Sequence, residues 1–411
     1  MRAQLRCTYL LLVAALLWAT AGASPAHAQD APPITVSSSS ARYSFGQQAT
    51  FSIEASAAAE ITAVSLYVKL QGETNTEVHP LAFEPRSTIQ ASIERNLRLF
   101  PLPPFGQVTW WWEIRDGAGN VLETEPASFQ YVDNRFEWHT ASDEPIWVHT
   151  QVDDPVYTQS ALDTAKTALE QIGRELEAPS LERVDIYLYL SEDDIKAALQ
   201  MAGREWVGGQ ARPELSVILA AIPHNDGSPT RMERDIPHEL THHLIYHTVG
   251  SEGYQNVPAW LDEGLATANE LQPDPTLEAA LETAHAEGRL IPLTDLCAPS
   301  PADTDVAFLF YAQSGSLVRY IRHRYGSTGI RSLLAAYADG AGCEGGIIRA
   351  LDTTPQRLNL AWRAQLIGLS GWLTWLTENK SWLFLWGLSL LLALPMARGL
   401  RTRNRDIEQA K

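Results

Sequence analysis

The sequence predicts a multidomain chain: an N-terminal all-β sandwich, a central α+β domain and one C-terminal transmembrane helix. Three observations carry this expectation. Short runs of alternating apolar and polar residues fill residues 30–135. Strand and helix patterns alternate from 138 to 365. Residues 381–397 hold no charged side chain. Hydrophobic residues make up 45% of the 411, enough for sizeable cores and too many for a disordered chain.

Residues 1–28 read as a secretory signal. Arg2 and Arg6 precede an apolar run from Tyr9 to Trp18, and Ala26-His27-Ala28 is an A-x-A cleavage site. An uncleaved anchor is the rival reading, and the run is short for one. Cys7 leaves with the signal, so Cys297 and Cys343 remain. Two cysteines in an exported domain are a disulfide candidate; the alternative is two buried thiols.

From 30 to 135 the period is two. Val64, Leu66, Val68 and Leu70 alternate with Ser65, Tyr67 and Lys69, and Phe51-Ser52-Ile53-Glu54 does the same. Trp110-Trp111-Trp112-Glu113-Ile114 runs into Asp116-Gly117-Ala118-Gly119-Asn120, a hairpin signal, and a last strand spans about 128–132. Several short strands in about 100 residues suggest an immunoglobulin- or fibronectin-like sandwich. The tryptophans fit core packing better than a ligand groove.

In 138–365 a helix from Tyr157 to Leu176 precedes a strand from Val184 to Leu190. Ser191-Glu192-Asp193-Asp194 starts another helix, with acidic residues in its first turn. Leu215 to Ile222 is a second strand, nearly all apolar. Pro237 either starts a new helix or kinks a longer one.

Residues 381–397 are at the short end for a spanning helix. Trp372, Trp375, Trp382 and Trp386 gather at its start like an interfacial belt, and Arg398, Arg401, Arg403 and Arg405 follow it. The positive-inside rule places 398–411 as a cytoplasmic tail and everything before the span outside, a single-pass type I protein of the cell membrane. A buried helix of a soluble domain is the rival. The chain carries a net charge of −18. Without the two leader arginines and a net +3 in the tail, residues 29–397 carry −23. A body this acidic excludes nucleic acid as a partner.

The chemistry lies in His238-Glu239-Leu240-Thr241-His242. On a helix, residues four apart share a face, so both imidazoles can reach one ion. Glu239 is rotated about 100° from His238, beside the ion rather than on it. Glu263 follows in Trp260-Leu261-Asp262-Glu263-Gly264-Leu265-Ala266, 21 positions after His242. That separation allows a loop and a return helix, with Gly250, Gly253 and Pro258 supplying the break.

Together the two motifs resemble the gluzincin metallopeptidases, and 138–365 resembles a peptidase MA-like gluzincin domain with the H-E-x-x-H and E-G-L-A elements. The segment Tyr311–Ile321 resembles a helix that follows the zinc site in such proteins. The resemblance implies a Zn2+ ion held by His238, His242 and Glu263, with Glu239 as general base in the hydrolysis of a peptide or protein substrate. It also implies Tyr or His as an oxyanion donor, for which Tyr311 is the candidate, with core packing as its alternative. Segment 208–222 would be the sheet edge that pairs with extended substrate. Thermolysin-like members place an acid four positions after the third ligand. Here that position is Thr267, so the groups behind the ligands must come from elsewhere. His243 and His247 are expected in the core or on the helix surface, not on the metal. A degenerate domain acting in surface binding or adhesion, and a zinc hydrolase of a cell-wall amide, are the competing functions.

Overall fold

A computed structural model describes residues 33–200, 209–298 and 304–366, with Lys380, Trp382, Leu383 and Trp386. The signal segment and the tail lie outside these residues, as does the 381–397 span apart from the two tryptophans and Leu383. Among the described residues no helix is long and apolar enough to cross a membrane. The chain divides into two compact units.

The first unit is all-β. Its strands are β1 (Ile34–Ser44), β2 (Gln48–Leu70), β3 (Thr76–Pro80), β4 (Arg86–Asn96), β5 (Gln107–Asp116), β6 (Val121–Glu123) and β7 (Ala127–Gln130). They join as one sheet in the order β1-β2-β5-β6, with β3 and β4 also on β2 and β7 on β5. The 23-residue β2 organises it. Its first half pairs β4 from Gln48↔Asn96, and its second half pairs β5 down to Leu70↔Val108, with an irregularity after Ser56. Period-two burial follows the sequence: Val64, Leu66 and Val68 are buried between partly exposed neighbours. Trp110 and Trp112 face inward, and Trp110 packs on Phe51 and Phe129. Trp111, on the other face, stacks on Tyr67 at 5.4 Å. The tryptophans therefore serve packing. The β5–β6 turn closes because the Asp116 carboxylate accepts from Ala118 N, Asn120 N and Asn120 Nδ2 at 2.8–3.0 Å.

The second unit is α+β. Its strands are β8 (His139–Asp143), β9 (Ile146–Thr150), β10 (Val184–Tyr189), β11 (Gly209–Arg212) and β12 (Val217–Ala221), in the sheet order β11-β12-β10-β9-β8. β9, β10 and β12 are parallel; β8 and β11 run antiparallel at the edges. The nearly all-apolar sequence of β12 reflects its interior place, buried on both faces. Segment 208–222 is thus two strands, and only β11 forms the edge; a 3-10 turn at Pro213–Leu215 separates them.

The helices are α1 (Pro155–Leu176), α2 (Glu192–Gln200), α3 (Ser228–Tyr254), α4 (Ala259–Ala268), α5 (Pro275–Ala286), α6 (Thr304–Ala338), α7 (Cys343–Leu351) and α8 (Pro355–Leu366). Asp154 caps α1 by accepting from Val156 N and Tyr157 N, and Ala161, Ala165, Ala168 and Ile172 form its buried stripe, in the core α3 shares. Helix α3 runs through Pro237, and its backbone leaves helical geometry at Gly250 instead. Cys297 and Cys343 form a disulfide, with Cα atoms 5.8 Å apart.

Candidate metal centre

Helix α3 presents His238, Glu239 and His242; α4 presents Asp262 and Glu263. The apolar face of α3, with Met232, Ile236, Leu240 and Leu244 fully buried, fixes which way the histidine face turns. Helix α4 starts just after Pro258 and crosses α6 very closely. A Cβ on Gly264 would lie 2.7 Å from the Ser314 carbonyl oxygen and 2.8 Å from Val318 Cγ2. Glycine at 264 is therefore what allows Glu263 to approach α3 at this depth.

The expected ligand atoms converge. Glu263 Oε2 is 3.4 Å from His238 Nε2 and 3.6 Å from His242 Nε2, and one ligand atom from each residue lies within 4.8 Å of the others. Ligands about 2.0–2.2 Å from a tetrahedral zinc lie about 3.3–3.6 Å apart. The donor set, two imidazoles and a carboxylate, also suits zinc. Charge agrees: the carboxyl groups of Glu239, Asp262, Glu263 and Glu270 surround the two imidazoles, an acidic surplus that a dication would offset in part.

Each histidine is held from behind. His242 Nδ1 is 2.9 Å from Asp262 Oδ1, and the Tyr254 hydroxyl donates to Asp262 Oδ2 at 2.9 Å. His238 Nδ1 is 3.2 Å from Glu270 Oε1. These bonds put the ring proton on Nδ1 and leave both Nε2 atoms to face Glu263. Burial alone would push His238 down, but its bonds to Glu263 and Glu270 raise it well above the ordinary histidine value. For His242, the charges of Asp262 and Glu263 overcome burial and raise it to about 9. Asp262 is itself buried, yet His242 holds its carboxyl below the usual range.

Glu239 is 6% exposed. Burial raises its pKa, the two histidines oppose this, and the Ala211 backbone N–H of edge strand β11 donates to it. A carboxylate lifted toward neutrality is suited to taking and returning a proton.

His243 and His247 keep to the expected role. His243 is fully buried, neither ring nitrogen has a hydrogen-bond partner, and burial depresses it to about 3; its ring lies 4.5 Å from that of His247. Thr267 is buried, its hydroxyl without a hydrogen-bond partner, and its methyl packs against Gly315. Tyr311 is half-buried on α6, three residues before Ser314, with its ring edge-on to Phe310 at 6.1 Å. Sequence reasoning missed Asp262, Tyr254, Glu270 and the Ala211 N–H. Asp262, next to Glu263 in a short acidic pair, offered the one readable signal.

No curated protein matches the chain. A solved M1 zinc metallopeptidase from Deinococcus radiodurans is 13% identical, covering 77% of this chain and 88% of that one with a TM-score of 0.36. A mutant of the same enzyme gives 13% identity, 78% and 91% coverage and a TM-score of 0.39. A structure titled as a myokine is 11% identical over 25% of this chain and 99% of its own, with a TM-score of 0.20. Residues 164–368, the segment that contains His238, Glu239, His242 and Glu263, match the family model of the Peptidase MA superfamily.

Proposed function

We propose that the protein is an exported zinc metallopeptidase, tethered by its C-terminal span, that hydrolyses peptide bonds with Glu239 as general base. The observation that carries the reading is the convergence of His238 Nε2, His242 Nε2 and Glu263 Oε2, with the buried carboxylate of Glu239 beside them. The superfamily match over 164–368 supports it. A zinc ion at these three ligands would supply Lewis acidity and lower the pKa of a water toward neutrality. Glu239 takes the proton of the attacking water and returns it to the leaving amine. Its bond from Ala211 ties the base to the sheet edge, where an extended peptide would add alongside β11 by main-chain hydrogen bonds. Tyr311 is the proposed oxyanion donor.

The leader and the Trp- and Arg-flanked span at 381–397 support a type I topology with the metal centre outside the cytoplasm. The N-terminal β unit, proposed as an immunoglobulin- or fibronectin-like sandwich, would position the enzyme or contact a partner. A peptide-library digest by the full-length protein in detergent, with and without chelator, tests the activity. Cleavage that stops on chelation and returns with zinc is expected; no cleavage of any peptide by zinc-loaded protein would remove the peptidase reading. Labelling of intact cells should reach the β unit and spare the Arg-rich tail, and labelling of the tail from outside would overturn the topology.

A further inference from the structure

We propose that Glu270 is the positioning residue for His238, presented by a clasp that Pro237 creates. The inference rests on the zinc reading above. Helix α4 ends at Ala268, so Glu270 lies beyond it, in Asn269-Glu270-Leu271-Gln272, and helical spacing does not place it. Tertiary bonds do. Arg322, itself paired with both oxygens of Glu175 at 2.7 and 2.8 Å, donates to the Ala268 carbonyl at 3.1 Å and to Asn269 Oδ1 at 2.6 Å. Asn269 Nδ2 in turn donates to Thr241 Oγ1, inside the H-E-x-x-H turn, at 3.2 Å.

On the other side of Glu270, Leu271 N and Gln272 N donate to the Glu233 carbonyl at 2.9 and 3.3 Å. That carbonyl is free for one reason. Its helical partner would be the N–H of residue 237, and proline has none. The proline immediately before the first ligand therefore opens an acceptor on α3, and the chain after α4 docks on it. Glu270 is held between the two attachments, its side chain 5% exposed, with Oε1 3.2 Å from His238 Nδ1.

Two further observations assign Glu270 to the histidine rather than to packing. Its second oxygen is buried with no hydrogen-bond partner, a cost that a purely structural acid has no reason to carry. Thr267, one turn after Glu263, turns its methyl to Gly315 and leaves its hydroxyl without a hydrogen bond, so it does not hold His238.

The test is zinc affinity of the full-length protein, measured by competition with a chromophoric chelator, beside melting of the zinc-free protein. Glu270→Ala should weaken zinc 10- to 100-fold, the usual effect of losing a carboxylate behind a ligating histidine. Glu270→Gln, which keeps an acceptor for Nδ1–H, should weaken it less. Zinc-free melting should not fall in either variant. Pro237→Ala restores an N–H that competes with Leu271 for the Glu233 carbonyl, and should weaken zinc several-fold while zinc-free melting holds or rises. Wild-type affinity in both Glu270 variants, or zinc loss that only tracks a fall in melting temperature, overturns the role of Glu270. Wild-type affinity in Pro237→Ala overturns the clasp. If His238→Ala binds zinc as the wild type does, the zinc reading itself fails.

Discussion

Gly264→Ala probes how the third ligand is placed. The new Cβ would meet the Ser314 carbonyl oxygen at 2.7 Å, its carbon at 3.0 Å and Val318 Cγ2 at 2.8 Å. Ordinary contact begins near 3.4 Å, and two of the three atoms are backbone that no rotamer change can move aside. Helices α4 and α6 must therefore separate by about half an ångström. Overpacking of this kind costs about 1–3 kcal/mol. With backbone in the way we take the upper half of that range. Replacing a mid-helix glycine by alanine returns about 1 kcal/mol of helix propensity. The net is about 1–2 kcal/mol, or about 2–8 °C in melting temperature for a domain of this size. The shift also carries Glu263, which is adjacent, and metal–ligand distances tolerate only about 0.2 Å. Thermal melts should show the destabilisation and a zinc titration should show weaker binding. A variant as stable as the wild type with unchanged zinc affinity would refute the claim that the α4–α6 approach at Gly264 sets the ligand geometry.

Three other outcomes are expected. The Cys297–Cys343 bridge spans 46 positions, so its reduction should cost about 3–4 kcal/mol in a chain-entropy account, read as a lower urea midpoint with reductant; Cys297→Ser should then be insensitive to reductant. His243, at about 3 when folded and about 6.5 when unfolded, binds more protons in the unfolded state between those values, so it makes stability fall as pH falls. From pH 7 to 5 its share is about 2 kcal/mol, and zinc-free His243→Phe should lose about that much less than the wild type over this interval; equal losses would place the buried neutral ring in doubt. Glu239→Gln should keep zinc and lose about 10²- to 10⁴-fold in turnover, measured on a peptide that the wild type cleaves; retained turnover would remove Glu239 as the base.

What the sequence made legible follows its periodicities. The i, i+4 histidines needed only helical geometry, and the alternation of residues 64–70 announced the C-terminal end of β2. β11 was less legible, because four residues show no reliable period and an edge pairing is a tertiary fact. Pro237 read as either the start of a new helix or a kink in a longer one. It lies inside α3, where its missing hydrogen bond is made good by the chain that follows α4. Glu270 and Tyr254 were unreadable for a related reason. Their roles come from hydrogen bonds across elements, and neither holds a position that a repeat would mark. Thr267 pointed correctly to a different set of supporting groups, without saying where they lay.

The central claim is that His238, His242 and Glu263 hold one catalytic zinc. Metal analysis of the purified full-length protein tests it most directly. About one zinc per chain is expected in the wild type and in Glu239→Gln, and essentially none in His242→Ala. Zinc retained at that level by His242→Ala, or absent from a correctly folded wild-type protein given zinc, would contradict it.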